Sequence, residues 1–262
     1  MTIPRLGIGL AVSSVLALAA CAGGAPPPMQ DQEHVLSRPD VTKSMMAAAD
    51  KAEKQNDPSS AVSYYRGIFN REPTNVEAAI GLMQALRLLG LYDQARDVSS
   101  RALAARPDEP SIVGETGKVE LAAGRLTEAS TLLTKATKLN PRDWKSFSAL
   151  GVVYDRQGDY EHAKESYQAA LKLAPDSVAI MNNFGLSLAM AGDLQSALSM
   201  LQQAAAQPSA DARVRQNLAL VYALSGDMPH AEELTRRDLP PEQAKETLAY
   251  YRELAASHAQ KQ

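Results

Sequence analysis

The chain is 262 residues long, 45% apolar and 22% charged, with a formal net charge of −3 and a single cysteine. One cysteine excludes an internal disulfide and a cysteine-built metal cluster. The mild acidity, with no basic stripe along the sequence, argues against a nucleic-acid partner.

Residues 1–20 read as a targeting leader. Arg5 supplies a positive start, and the apolar run from Leu6 to Ala20 follows it. That run is shorter than the roughly 20 apolar residues that cross a bilayer core, and it suits a signal h-region. It ends Leu18-Ala19-Ala20-Cys21, which resembles a bacterial lipobox. The resemblance implies that Cys21 becomes the mature N-terminus and carries a diacylglyceryl thioether and an N-linked fatty acyl chain such as palmitate. Each buried methylene contributes about 0.8 kcal/mol, so two or more chains anchor firmly where one binds marginally. Ala22 follows where an Asp would retain the protein inside, and by the same sorting pattern this implies the outer membrane. Residues 21–40 form a lipidated tether. Ala22-Gly23-Gly24-Ala25-Pro26-Pro27-Pro28 cannot hold a helix and has little to bury.

Residues 41–258 are all-α by pattern, since no useful length alternates with period two. The clearest stretch runs from Trp144 to Pro175, two short amphipathic helices around Gly158-Asp159. A step of 34 residues recovers its features across the chain. Ala163 steps to Ala61, Ala95, Ala129, Ala197 and Ala231; Gly158 steps to Asn56, Gly90, Gly124, Gly192 and Gly226. Pro175 steps to Pro73, Pro107 and Pro141. Units therefore begin near Thr42, Val76, Pro110, Trp144, Val178 and Ala212. The pattern resembles the tetratricopeptide repeat (TPR), whose period is 34 residues. It implies a right-handed superhelix of about six helix-turn-helix repeats.

Each recurring type has a physical task. The alanine lets the second helix of a unit approach the first to roughly 8–10 Å. The glycine takes a left-handed conformation just past the first helix, and Asn56 is the residue next best able to adopt it. Asp159, Asp193 and Asp227 can cap the second helices. Gly117, Gly151 and Gly185 mark a second close approach, filled by Met83, Ala49 and Ala219 in other units. Pro58 fits the first helical position in the least regular unit. A last helix, about 241–257, carries Ala244, Leu248, Tyr251, Leu254 and Ala255 as an apolar stripe and caps the sixth unit; a partner-binding helix is the other reading.

No catalytic or metal site is expected, and no cofactor or small-molecule substrate. His162 and His230 lie two units apart at equivalent solvated positions, and no His-Glu-x-x-His or phosphate loop occurs. The working surface is the concave groove formed by the first helices. In the fourth unit it includes Lys145, Ser148 and Val152. In the last two it includes Asn182, Asn183, Leu186, Met190, Arg213, Gln216, Asn217 and Leu220. Asn183 and Asn217 occupy equivalent positions, and an amide there can donate to and accept from a ligand backbone. They could equally support neighbouring helices. The first three units offer a mixed groove (Lys43, Asp50, Glu77, Gln84, Arg87, Lys118) with no readable pattern.

The segments Asn182–Ala189, Val214–Asp227, Arg236–Leu239 and Leu248–Tyr251 resemble the TadD family, the TPR lipoproteins of the tight-adherence (Flp pilus) assembly system. That resemblance implies an outer-membrane, pilotin-like assembly factor, with a pilus secretin or another pilus-assembly protein as partner. Similar lipidated TPR proteins scaffold peptidoglycan enzymes or take part in outer-membrane β-barrel assembly, and these share the anchor and the groove.

Overall fold

The computed structural model describes residues 38–259. The leader, Cys21 and the tether up to residue 37 lie outside the described residues. Among the described residues there are thirteen α-helices and no strand. Six helix pairs follow one another: α1 Arg38–Lys54 with α2 Pro58–Arg71, α3 Val76–Leu88 with α4 Tyr92–Ala105, and α5 Pro110–Ala122 with α6 Leu126–Leu139. Then come α7 Trp144–Gln157 with α8 Tyr160–Leu173, α9 Val178–Met190 with α10 Leu194–Ala205, and α11 Ala212–Leu224 with α12 Met228–Asp238. The last helix is α13, Pro241–Ala259. We refer to the first helix of each pair as A and the second as B. The tether expected to reach Asp40 gives way to helix at Arg38, because Asp40 falls in the first turn of α1, where its charge complements the helix dipole.

The recurring residues do what their chemistry allows. Ala61, Ala95, Ala129, Ala163, Ala197 and Ala231 are all 0% exposed, as residues at a close helix–helix approach must be. Gly90, Gly124, Gly158, Gly192 and Gly226 have positive φ, and Asn56 is the only non-glycine among the described residues that does. The Asp159, Asp193 and Asp227 side chains accept from the backbone N–H of His162, Ser196 and His230 and so cap α8, α10 and α12. Asp57 does the same for α2, with Pro58 opening that helix. The α4 and α6 starts, at Leu91 and Arg125, have no side-chain cap.

The A-helix glycines work differently from the sequence expectation. They do not mainly bring helix axes together; each admits one B-helix side chain. A Cβ on Gly117, Gly151 or Gly185 would stand 2.6 Å from Leu133, Tyr167 or Leu201 respectively. These side chains lie four residues after the recurring alanine. In the second unit the sizes are exchanged: the A helix carries Met83 and the B helix carries Ser99, whose Oγ lies 3.0 Å from the Met83 sulfur.

The α13 helix packs on α11 and α12 through Ala244, Leu248 and Tyr251, all buried. The Tyr251 hydroxyl donates to the Gln216 carbonyl at 3.2 Å. It thereby covers apolar surface that a seventh unit would otherwise cover, as terminal elements of repeat arrays do.

The caps also set an acid limit. Hydrogen bonds lower three carboxyls below their usual range: from the Ser60 hydroxyl and amide to Asp57, from the His162 amide and ring to Asp159, and from the Ser196 hydroxyl and amide to Asp193. A carboxyl lowered by folding stabilises the fold above its unfolded pKa of about 3.9, and that contribution is lost as pH falls through the lower folded value. Stability should therefore hold level near neutrality with respect to these groups and decline below about pH 4. The triple variant Asp57→Asn/Asp159→Asn/Asp193→Asn keeps the caps without the charge, and urea midpoints against pH should show a shallower acid decline. An unchanged acid limb would remove the caps as its cause.

Candidate functional site: the concave face

Contacts between successive A helices (α3–α5, α5–α7, α7–α9, α9–α11) recur along the array, while successive B helices do not meet to that extent among the described residues. A helices therefore line the inner face and B helices the outer one. A groove residue is one that lies on an A helix and keeps some exposure.

In the fifth and sixth units the structure sorts the expected residues. Asn182 is 4% exposed, so it is not a ligand-facing residue. Its Oδ1 accepts from Asn217 Nδ2 at 2.7 Å and its Nδ2 donates to Asn183 Oδ1 at 3.3 Å. The physical reason is that a buried amide must spend its groups on neighbours, and here that ties α9 to α11. Asn183 and Asn217 remain half-exposed beside it. Met190 is open to solvent at 53% exposure. Leu186 is half-buried, and Leu220 packs against the Ala219, Leu248 and Tyr251 cluster beneath α13. Gln216 is half-buried and gives its carbonyl to Tyr251, while Arg213 is exposed and lies 3.7 Å from Asp211.

Another concavity lies in the second to fourth units; the sequence showed no pattern in the second and third, and placed Lys145, Ser148 and Val152 of the fourth in the groove. A cleft of about 550 Å³ opens between α3, α5 and α7. Gln84, Arg87, Lys118, Lys145, Ser148 and Arg156 supply its polar lining. Leu121, Ala122, Trp144, Ala149 and Val152 supply the apolar part. Behind it sits Glu115, 1% exposed. Its carboxylate accepts from Lys118 at 2.6 Å, from Arg87 at 3.2 and 3.3 Å and from Gln84 at 3.2 Å. One buried carboxylate thus holds two cations of the cleft in place. Lys145 and Arg156 are exposed; Lys145 lies 5.7 Å from the centre of the Trp144 ring, and Arg156 donates to the Leu121 carbonyl at 3.1 Å. The signal that would have found this site is a search for cations on A helices alone, because the four occupy different repeat positions.

Beside the cleft, Asp155 on α7 joins the fourth unit to the fifth. It accepts from Tyr167 at 2.7 Å and from Ser187 at 2.6 Å. Burial pushes its carboxyl up, and the two hydroxyls oppose that. Burial next to Asp155 holds the Tyr167 phenol well above its ordinary range, so it stays a donor. His162 and His230 are exposed, each with Nδ1 2.7 Å from the capping aspartate and its ring over a tyrosine of the A helix, Tyr154 and Tyr222. Among the described residues no group of three or more His, Cys, Asp or Glu is placed to hold a metal ion, and no helix is long and apolar enough to cross a membrane.

Family models described as tetratricopeptide repeat match residues 52–114 and, in overlapping windows, 115–178, 149–212 and 182–244. Among curated proteins, the chain is similar to the general transcriptional corepressor trfA of Dictyostelium discoideum, 26% identical over 124 residues, 47% of this chain and 9% of that protein. It is similar to human tetratricopeptide repeat protein 13, 30% identical over 118 residues, 43% of this chain and 14% of that protein. The chain spans only a small part of the length of either relative.

Among solved structures, the APC/C hetero-tetramer Cut9-Hcn1 aligns with TM-score 0.72 and 21% identity over 82% of this chain and 44% of that one. PilW, described as a widely conserved type IV pilus biogenesis factor, aligns with TM-score 0.67 and 18% identity over 83% of this chain and 98% of that one. PilF of Pseudomonas aeruginosa aligns with TM-score 0.63 and 17% identity over 76% and 91%. At these identities the likeness is one of fold.

Proposed function

The chain belongs to the tetratricopeptide repeat family, and on that premise we propose that it is an outer-membrane-anchored, pilotin-like assembly factor for a Flp-type pilus. TPR arrays are typically non-catalytic scaffolds for protein–protein interaction. In this reading the acyl chains on Cys21 hold the array at the periplasmic face of the outer membrane. The concave face captures a segment of a secretin or another pilus-assembly subunit. Tethering raises the local concentration of that subunit, so assembly is promoted without a chemical step.

The observation that carries the reading is a concave face of A helices on a chain whose segment Leu18-Ala19-Ala20-Cys21 resembles a lipobox. The likeness in fold to PilW, described as a type IV pilus biogenesis factor, over 83% of this chain and 98% of that one supports it.

The test is photocrosslinking in cells from a probe at Leu186 or Asn217, read by mass spectrometry. The expected adduct is a secretin subunit. Adducts with peptidoglycan hydrolases or barrel-assembly subunits would overturn the pilus assignment in favour of an envelope adaptor. The anchor has its own outcome: Cys21→Ala protein should leave the membrane fraction, and piliation should fall with it. Full membrane retention with unchanged piliation would sink the tethering step.

A further inference from the structure

The cleft between α3, α5 and α7 has a charge that opposes that of the whole chain. The chain carries a net −3, yet the cleft is lined by Arg87, Lys118, Lys145 and Arg156 and by no carboxylate. Glu115 behind it has its single charge shared between Arg87 and Lys118. An excess of positive charge therefore faces the opening, next to the apolar surface of Trp144 and Val152.

We propose that this cleft binds an extended acidic segment of a partner protein, with an apolar side chain seated among its carboxylates. The inference rests on reading the concave face as a protein-binding surface, and it names the chemistry that surface selects. Three arguments converge on it. First, the cations come from three successive A helices. Neighbouring helix axes stand roughly 8–10 Å apart, so α3 and α7 are about 16–20 Å apart. No single small anion bridges that span, whereas an extended segment covers it in about six residues at about 3.3 Å each. Second, the apolar lining would be left unfilled by a purely ionic ligand, and burying it against an apolar side chain adds area-dependent affinity. Third, a single aromatic ring lines the cleft. Single-stranded nucleic acid is held on successive aromatic rings, so an acidic peptide fits better than an oligonucleotide.

Trp144 is the only tryptophan in the chain, so its emission reports this cleft alone. The experiment titrates the purified full chain with a panel of capped octapeptides of aspartate and glutamate around one Leu, Met or Phe. Trp144 emission and calorimetry are read together. At least one acidic peptide should bind saturably, with Kd on the order of 10 μM. Affinity should fall about tenfold or more in the Lys145→Gln/Arg156→Gln variant, and should also fall as salt rises. That variant leaves the Arg87–Glu115–Lys118 cluster intact and gives up one exposed hydrogen bond, from Arg156 to the Leu121 carbonyl, and circular dichroism checks that the fold is kept.

Three results would overturn the proposal. They are a panel with no heat or emission change up to about 1 mM, equal binding of the Gln/Asn isosteres, and tighter binding of an oligothymidylate than of every acidic peptide. The titration is independent of the pilus assignment. Hydrolase or barrel-assembly adducts in cells would remove that assignment, and a missing adduct would remove the groove around Leu186 and Asn217 as the working surface, while a saturable acidic-peptide isotherm would still stand.

Discussion

Gly151→Met is expected to cost about 2–3 kcal/mol of stability, because an added side chain must displace the Tyr167 ring from a packed interior. A Cβ alone at this position stands 2.6 Å from that ring. Tyr167→Ser is expected to cost about 3–5 kcal/mol, by analogy with other buried aromatic truncations. It removes a side chain 1% exposed, a ring stacked on Phe184 at 5.6 Å, and the phenol that donates to Asp155.

The two changes together recreate what the second unit already uses, Met83 facing Ser99. The double variant should therefore cost less than the sum of the singles, by about 1–3 kcal/mol of coupling. It will not return to the parent value, since Asp155 keeps only Ser187 as a hydroxyl donor. Repeat arrays need not unfold in one step, so the measurement is amide exchange across α7 and α8 as well as urea midpoints. Strict additivity would mean that the two positions do not share one volume.

The second large effect concerns Glu115. The Arg87→Ala/Lys118→Ala variant leaves a carboxylate 1% exposed with Gln84 as its remaining side-chain donor. Leaving a buried charge without its partner costs about 3–5 kcal/mol. Adding Glu115→Leu should recover most of the loss, because an apolar side chain of similar size in place of a buried ion cluster is often neutral or better. Thermal and urea unfolding should rank the double variant lowest, with the triple close to the parent. If the triple is no more stable than the double, the loss comes from the packing of the Arg87 and Lys118 stems rather than from the stranded charge.

A protein-binding face on a repeat array needs rigidity and selectivity, and the two sites just described bear on both. The Gly151–Tyr167 contact fixes the spacing of α7 against α8. The Glu115 cluster fixes α3 against α5 and holds two of the four cleft cations. A change in either would alter the concave face without touching a ligand.

The repeat period, the pairing of helices and the turn conformations were legible in the chain because they rest on local rules. An alanine every 34 residues, a glycine or asparagine after each A helix and a cap or proline at each B helix depend on neighbours in sequence. All six alanines are fully buried and all six turn residues have positive φ. The start of α1, at Arg38, lies ahead of the expected boundary because its first turn carries no repeat residue. Cys21, where the lipobox resemblance implies an anchor, lies outside the described residues.

What depended on which faces meet was left to the tertiary structure. The A-helix glycines were recognised as points of close approach. That each receives a B-helix side chain became plain only when Tyr167, Leu133 and Leu201 were seen against them. Asn182 stood among the expected groove residues, yet its side chain is drawn inward by Asn217 one unit on. The cationic cleft draws on Arg87, Lys118, Lys145 and Arg156, at four different positions in the repeat. No period in the sequence aligns them, and only the superhelical stacking of three A helices brings their charges to one opening. Backbone periodicity is written in sequence because helix geometry repeats by itself. A binding face is not, because it is set by how units of different side chains are turned toward one another.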